Sequence, residues 1–141
     1  MSTNPSQDHI FDYLFIGLGA GNSLMLLSLL KNQCLAGKKV AIIESDEKKL
    51  NDKTYCFWAL ETDDLVEDLK AIISYQYTHI ELPKGTLQSI QDQPYCYIRS
   101  IDFYNYTLQI CEQEQFPIYR IAVEGIYPSN DIYQEIGRAH V

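Results

Sequence analysis

The chain has 141 residues, 46% of them hydrophobic and 12% aromatic, which suffices for one ordinary core and argues against a disordered segment. Its formal charge of −8 repels phosphate backbones and no cluster of lysine or arginine offsets it, so the composition speaks against nucleic acid as a partner.

Cys34, Cys56, Cys96 and Cys111 are spaced too unevenly for a zinc site or a redox dithiol, and read as buried thiols of a reducing compartment. The first ten residues are polar and lack the basic start and apolar stretch of a secretory leader. The longest apolar run, Leu24 to Leu30 broken by Ser28, falls far short of the roughly 20 residues of a membrane span. These features place the chain in the cytoplasm and are compatible with attachment at a membrane surface.

After a polar tail over residues 1–11, Tyr13-Leu14-Phe15-Ile16 reads as a buried parallel strand ending in glycines. A helix is expected from Asn22 or Ser23 to Cys34, with Leu24, Leu27, Leu30 and Cys34 on its apolar face and Gly37 closing it. Lys39 to Glu44 reads as a second buried strand, completing a βαβ unit. Ser45 to Glu61 reads as irregular. Asp63 to Ile73 reads as a helix capped by Thr62, with acids in its first turn suited to its dipole. Tyr75 to Leu82 and Tyr95 to Arg99, separated by a Pro83-Lys84-Gly85 turn, are expected to pair as antiparallel strands flanking the main sheet. Asp102 to Glu114 is helix-compatible, and Ile118 to Val123 reads as a strand followed by Gly125.

Gly17-Leu18-Gly19-Ala20-Gly21-Asn22 stands where the first strand hands over to the helix. In a dinucleotide-binding unit the first glycine makes the tight turn and the second lets the backbone approach the pyrophosphate. The helix N-terminus adds unpaired N–H groups and partial positive charge. The third position, normally Gly, is Asn22 here. Glu44 ends the second strand about 22 residues after the loop, where an acid accepts the adenosine ribose hydroxyls and discourages a 2′-phosphate. A bare Gly-x-Gly also fits a plain turn beside a surface acid. The ordered series of strand, loop, helix, strand and acid favours the dinucleotide.

Asn51-Asp52-Lys53-Thr54-Tyr55-Cys56-Phe57-Trp58 packs three aromatics and a cysteine into a stretch just after that acid. Such rings need something to pack against. Two readings stay open: a wall over a cofactor or apolar ligand, or a loop pinned into the core by Phe57 and Trp58.

At these residues the chain resembles the lycopene cyclase family of bacterial flavoproteins, over Asp12 to about Tyr133. The segments that carry the resemblance are Asp12 to Asn22, Asn51 to Trp58 and Tyr95 to Tyr104, the middle one being the most specific. Asn at the third glycine position occurs in that family. Lys53 and Tyr55 depart from it, standing where Arg and Trp are expected, and Lys53 loses a bidentate donor.

The resemblance implies an α/β fold, a Rossmann-like FAD-binding domain with a central parallel sheet and a flanking antiparallel strand pair, incomplete here. Residues 12–135 would be the N-terminal part of that FAD- and NAD(P)-binding domain. It implies an isomerase outcome on lycopene in carotenoid biosynthesis. A general acid protonates the terminal double bond, a neighbouring double bond attacks the cation, and proton loss gives the ring. Reduced FAD would be the cofactor and NAD(P)H its reductant. Gly17, Gly19 and Asn22 would form the pyrophosphate loop, Glu44 would hold the ribose, Arg99 would be a further cofactor contact, and Val123 would pass its backbone by the adenine. The family's catalytic acid is expected beyond this chain, so no acid here takes that role. Peripheral contact with the inner face of the membrane would run through the missing substrate half.

Competing readings are a related FAD oxidoreductase, such as a hydroxylase or isoprenoid reductase, and a non-catalytic nucleotide-binding module. Ile136 to Val141 are also what one frame of a common sequencing-adapter oligonucleotide encodes, so residues 136–141 are expected to be a non-native tail on an inactive fragment.

Overall fold

The computed structural model describes residues 10–60, 62–129 and 132–139. In chain order the elements are β1 (Tyr13–Ile16), α1 (Ala20–Lys31), β2 (Val40–Ile43), β3 (Thr54–Trp58), α2 (Asp64–Leu69), β4 (Tyr75–Tyr77), β5 (His79–Leu82), β6 (Thr86–Ser89), β7 (Tyr95–Arg99), α3 (Ser100–Gln113), β8 (Ile118–Tyr119), β9 (Ile121–Ser129) and β10 (Ile132–Ala139). They form two compact units, Met1–Glu47 with Cys111–Val141, and Lys48–Ile110.

In the first unit β2 lies between β1 and β8, parallel to both, with Ile16 beside Ile43 and Ile42 beside Ile118. All four β2 residues are buried, which is why the strand reads as an unbroken apolar run instead of an alternation. α1 starts two residues earlier than expected and buries Ser23 and Leu26. The expected face of Leu24, Leu27, Leu30 and Cys34 is thereby corrected, and Cys34 lies past the helix end, exposed. Gln33, not Gly37, supplies the left-handed cap at φ 57°. Its N–H donates to the Leu30 carbonyl at 3.0 Å and the Cys34 N–H to the Leu29 carbonyl at 2.9 Å, closing the orphan carbonyls of the last turn.

The expected strand Ile118 to Val123 is broken at Arg120. Beyond it β9 pairs antiparallel with β10, with a register shift between Ile136 and Gly137. Residues 136–139, part of the stretch expected to be a non-native tail, lie in β10 and pair with Ile121 to Gly125 of β9; His140 and Val141 lie outside the described residues.

In the second unit β7 lies between β3 and β4, antiparallel to both. Antiparallel pairing between Tyr75–Tyr77 and Tyr95–Tyr97 is present, whereas His79–Leu82 turns back on Thr86–Ser89 as a separate hairpin. The irregular reading of Ser45 to Glu61 is corrected at β3. Its residues carry apolar or aromatic groups on both faces, so no alternation betrays the strand. α2 is shorter than expected and takes Asp63 rather than Thr62 as N-cap. The Asp63 carboxylate faces back to the Leu60 N–H at 2.7 Å. α3 buries Phe103, Tyr104, Thr107 and Cys111 at helical spacing. Among the described residues no helix is long and apolar enough to cross a membrane.

Candidate functional site

The glycine loop in the first unit is set by backbone geometry. Gly17 has φ +83°, a conformation that side chains rarely adopt, and its N–H donates to the Ile43 carbonyl at 2.7 Å. The loop therefore leaves β1 tied to the end of β2. Gly19 is the N-cap of α1 and offers no side chain to the helix-terminal N–H groups. The first turn contains no acid, so its partial positive charge is not offset from within the helix. A Cβ added at Gly17, Gly19 or Gly21 would meet no atom within 4 Å. The glycine positions are thus open and no side chain caps the helix-terminal N–H groups, so these residues fit a pyrophosphate.

Asn22 sits at the third glycine position, and its side chain does not face outward from the helix end. Its Nδ2 donates to the Ile16 carbonyl at 2.7 Å and to the Gly17 carbonyl at 2.8 Å. The amide thus fastens the first turn of α1 to the strand it follows, where a glycine would allow only close packing.

Glu44, just beyond β2, is buried. Its Oε2 accepts the Leu18 N–H at 2.6 Å and its Oε1 accepts the Asp46 N–H at 2.8 Å. A carboxylate offers about four acceptor sites, so a group that holds the loop can also take ribose hydroxyls. Beside it Arg120 donates to the Asp46 carbonyl. Neither Leu18 nor Asp46 was legible as part of the site, because each contributes only its backbone N–H.

Gly17, Gly19, Asn22 and Glu44 are therefore brought together. Val123 lies in the same unit but on β9, opposite Gly137 of β10, and not in the parallel sheet. Arg99 belongs to the second unit. Its guanidinium is bidentate on Asp102, at 2.7 and 2.9 Å, and this pair holds it more firmly charged than a free arginine.

The two segments singled out in the second unit, Asn51 to Trp58 and Tyr95 to Tyr104, prove to be one structure. β3 and β7 pair from Thr54 beside Arg99 to Trp58 beside Tyr95. The residues before β3 are clamped to the start of α3: the Lys53 N–H donates to Ser100 Oγ at 3.0 Å, and the Ser100 N–H donates back to the Lys53 carbonyl at 3.3 Å. The Tyr104 hydroxyl donates to Asp52 Oδ1 at 3.0 Å and lies 3.2 Å from the Tyr55 hydroxyl. That bond holds the Asp52 carboxyl below its ordinary range, while burial, with Tyr55 and Asp52 adding to it, pushes the Tyr104 phenol up. Tyr55, one of the departures from the family pattern, supplies a hydroxyl to this network that a tryptophan does not have. The Trp58 ring lies tilted against Tyr95, with centroids 4.8 Å apart, and stays half exposed, so the reading that it pins a loop into the core is corrected. Cys34 and Cys56 are exposed and only Cys96 and Cys111 are buried, which corrects the expectation of four buried thiols.

No protein-family model and no curated protein matches the chain. Solved structures do match. p-Nitrophenol 4-monooxygenase PnpA from Pseudomonas putida DLL-E4 aligns over 87% of this chain and 35% of its own, with TM-score 0.59 and 14% identity. Halogenase PltM, in a complex with phloroglucinol and FAD, aligns over 93% of this chain and 32% of its own, with TM-score 0.57 and 13% identity. A geranylgeranyl bacteriochlorophyll reductase-like protein from Thermoplasma acidophilum aligns over 92% of this chain and 37% of its own, with TM-score 0.56 and 13% identity. The chain spans about a third of the length of these proteins and shares with them the mixed α/β fold of that part.

Proposed function

We propose that the chain is the FAD-binding part of a flavin-dependent enzyme, with a Rossmann-like first unit. The observation that carries this is the buried Glu44 carboxylate bonded to the Leu18 N–H inside the glycine loop, which brings a ribose acceptor and an anion-binding helix end together. The N–H groups at the start of α1, around Gly19, would take the pyrophosphate and Glu44 the ribose, with Asn22 holding the loop in shape. FAD would supply electron transfer or stabilisation of developing charge; this chain's own residues bind and orient it.

Two reactions have separate support. An FAD-dependent oxidoreductase is favoured by the fold neighbours, whose names are those of a monooxygenase, a halogenase and a reductase-like protein. A lycopene cyclase-like ring closure rests on the sequence resemblance of Asn51 to Trp58 and Tyr95 to Tyr104, segments that lie side by side as β3 and β7 with the start of α3.

Flavin fluorescence quenching tests the binding. Glu44→Ala should weaken FAD by the worth of its charged hydrogen bonds, about 1.5–3 kcal/mol each, and Gly19→Val should do more by filling the pyrophosphate space. Unchanged affinity in both variants removes the reading. With the full-length parent expressed in lycopene-producing cells, formation of cyclic carotene decides for ring closure, and substrate-dependent NAD(P)H consumption decides for the oxidoreductase.

A further inference from the structure

Glu44-Ser45-Asp46 follows β2, and two adjacent residues from the far end of the first unit bracket it. The Glu44 N–H donates to the Tyr119 carbonyl at 3.0 Å, and the Arg120 guanidinium donates to the Asp46 carbonyl across 74 residues of sequence. Between these ends the turn closes on itself, because Glu44 Oε1 accepts the Asp46 N–H at 2.8 Å. Asp46 is thereby held at both of its backbone groups, at the N–H by the Glu44 carboxylate and at the carbonyl by Arg120. Arg120 is also where the chain breaks between β8 and β9, so the backbone leaves the parallel ladder at the residue whose side chain crosses to the turn.

The two oxygens of Glu44 are held unequally. The carboxylate is buried, and a buried charge keeps its direction through its hydrogen bonds. Oε2 is fixed by the Leu18 N–H of the glycine loop, which the Gly17 bond to Ile43 ties to β2. Oε1 depends on Asp46, and Ser45 and Asp46 are exposed. An arginine on a surface carbonyl is ordinarily a minor clip. This one supports the residue whose N–H orients the acid of the site. With Glu44 read as the ribose acceptor, on which this role rests, we infer that Arg120 is a positioning residue of the nucleotide site. Through Asp46 it steadies Glu44 Oε1, keeping the lone pairs that Leu18 and Asp46 leave unused available to ribose hydroxyls. Its effect on the nucleotide passes through Glu44 and not through a contact of its own.

ADP and 2′,3′-dideoxy-ADP separate the ribose hydroxyls from the pyrophosphate and the base. Calorimetric titration of the full-length parent, stripped of flavin, should show ADP bound at least about tenfold more tightly than the dideoxy analogue, the worth of one charge-assisted bond. Arg120→Met keeps the aliphatic stem and removes the donor. Its preference for ADP should fall to about threefold or less, while affinity for the dideoxy analogue stays within about twofold of the parent's. Exchange of the Asp46 amide should quicken without nucleotide. In Glu44→Ala the preference should be absent, and adding Arg120→Met should leave ADP affinity where Glu44→Ala puts it. If Arg120→Met fails to fold, Arg120→Gln, too short to reach the carbonyl but still polar, provides the same comparison. The role is overturned if the folded variant keeps the parent's preference, if it weakens both nucleotides equally, or if its Asp46 amide exchanges as in the parent. A further loss of ADP affinity on the Glu44→Ala background also overturns it, since Arg120 would then touch the nucleotide itself. A parent that does not distinguish the two nucleotides, or a preference that survives Glu44→Ala, removes Glu44 as the ribose acceptor and the role of Arg120 with it.

Discussion

The Glu44 carboxylate accepts the Leu18 N–H at 2.6 Å across 26 residues of sequence, so the acid read as the ribose acceptor also fixes the loop beside it. Glu44→Gln should separate these roles from simple charge. The amide keeps one acceptor oxygen, but its nitrogen cannot accept the second of the Leu18 and Asp46 N–H groups. FAD affinity should fall by about tenfold to a hundredfold, the worth of one charge-assisted bond. Hydrogen exchange at Leu18 or Asp46 should quicken even without FAD. Weaker affinity with unchanged exchange at both amides would mean that Glu44 does not hold the loop.

Asn22 gives a test in which two principles oppose each other. An acid in the first turn of a helix ordinarily stabilises it through the helix dipole. Here the Asn22 amide donates to the Ile16 and Gly17 carbonyls, and a carboxylate would meet both as a repelled acceptor. Asn22→Asp should therefore be less stable than Asn22→Ala, with the alanine variant itself losing about 1–2 kcal/mol in urea unfolding. The reverse order would show that the two carbonyl contacts contribute little.

The glycine loop and Glu44 were legible because strand, turn, helix and acid follow each other within a short stretch and each obeys a local rule. The helix ends were not. Gln33 and Gln115 take the left-handed cap, with φ 57° and 58°, where composition points to glycine. β3 was hidden because Tyr55 and Phe57 face inward while Trp58 and Cys56 face outward, leaving no polar alternation to read. Both halves of the β3–β7 structure stand out in the sequence, but their union depends on Ser100. That serine is fully buried and bonded to Lys53, and nothing in its neighbours along the chain announces it.

Tyr104 anchors that union, with its ring buried and its hydroxyl shared between Asp52 and Tyr55. Tyr104→Phe keeps the ring and removes both bonds, so it should cost about 1–2 kcal/mol in denaturant unfolding. In Tyr55→Phe the bond to Asp52 survives, and the loss should be smaller. The Asp52 carboxyl, held low mainly by Tyr104, contributes stability that is present above its ordinary value of 3.8 and lost as pH falls through its depressed folded value. Acid unfolding of Tyr104→Phe should accordingly begin at higher pH than in the parent. Coincident acid transitions would remove Tyr104 as the cause of the shift.

The four thiols should divide into two pairs. Cys34 and Cys56 are exposed, whereas Cys96 and Cys111 are buried. Burial pushes the Cys96 thiol up and raises Cys111 to about 11. At neutral pH a disulfide reagent should modify Cys34 and Cys56 in the folded chain and reach the other two only after denaturation, since the thiolate is the nucleophile. The same shift has a consequence for stability. An unfolded Cys111 titrates near 9, the ordinary value, while the folded one keeps its proton up to about 11. Through that interval the unfolded chain binds fewer protons, so stability is fully present below pH 9 and declines as pH rises toward 11. Cys111→Ala should lower stability at neutral pH by about 1 kcal/mol through the lost packing, and yet fall less steeply across the alkaline interval. Tyr104, also raised by burial, has the same sign and should leave a residual slope. Rapid modification of Cys111 in the native chain, or an alkaline slope identical in Cys111→Ala, would show that this thiol is not shielded as its burial requires.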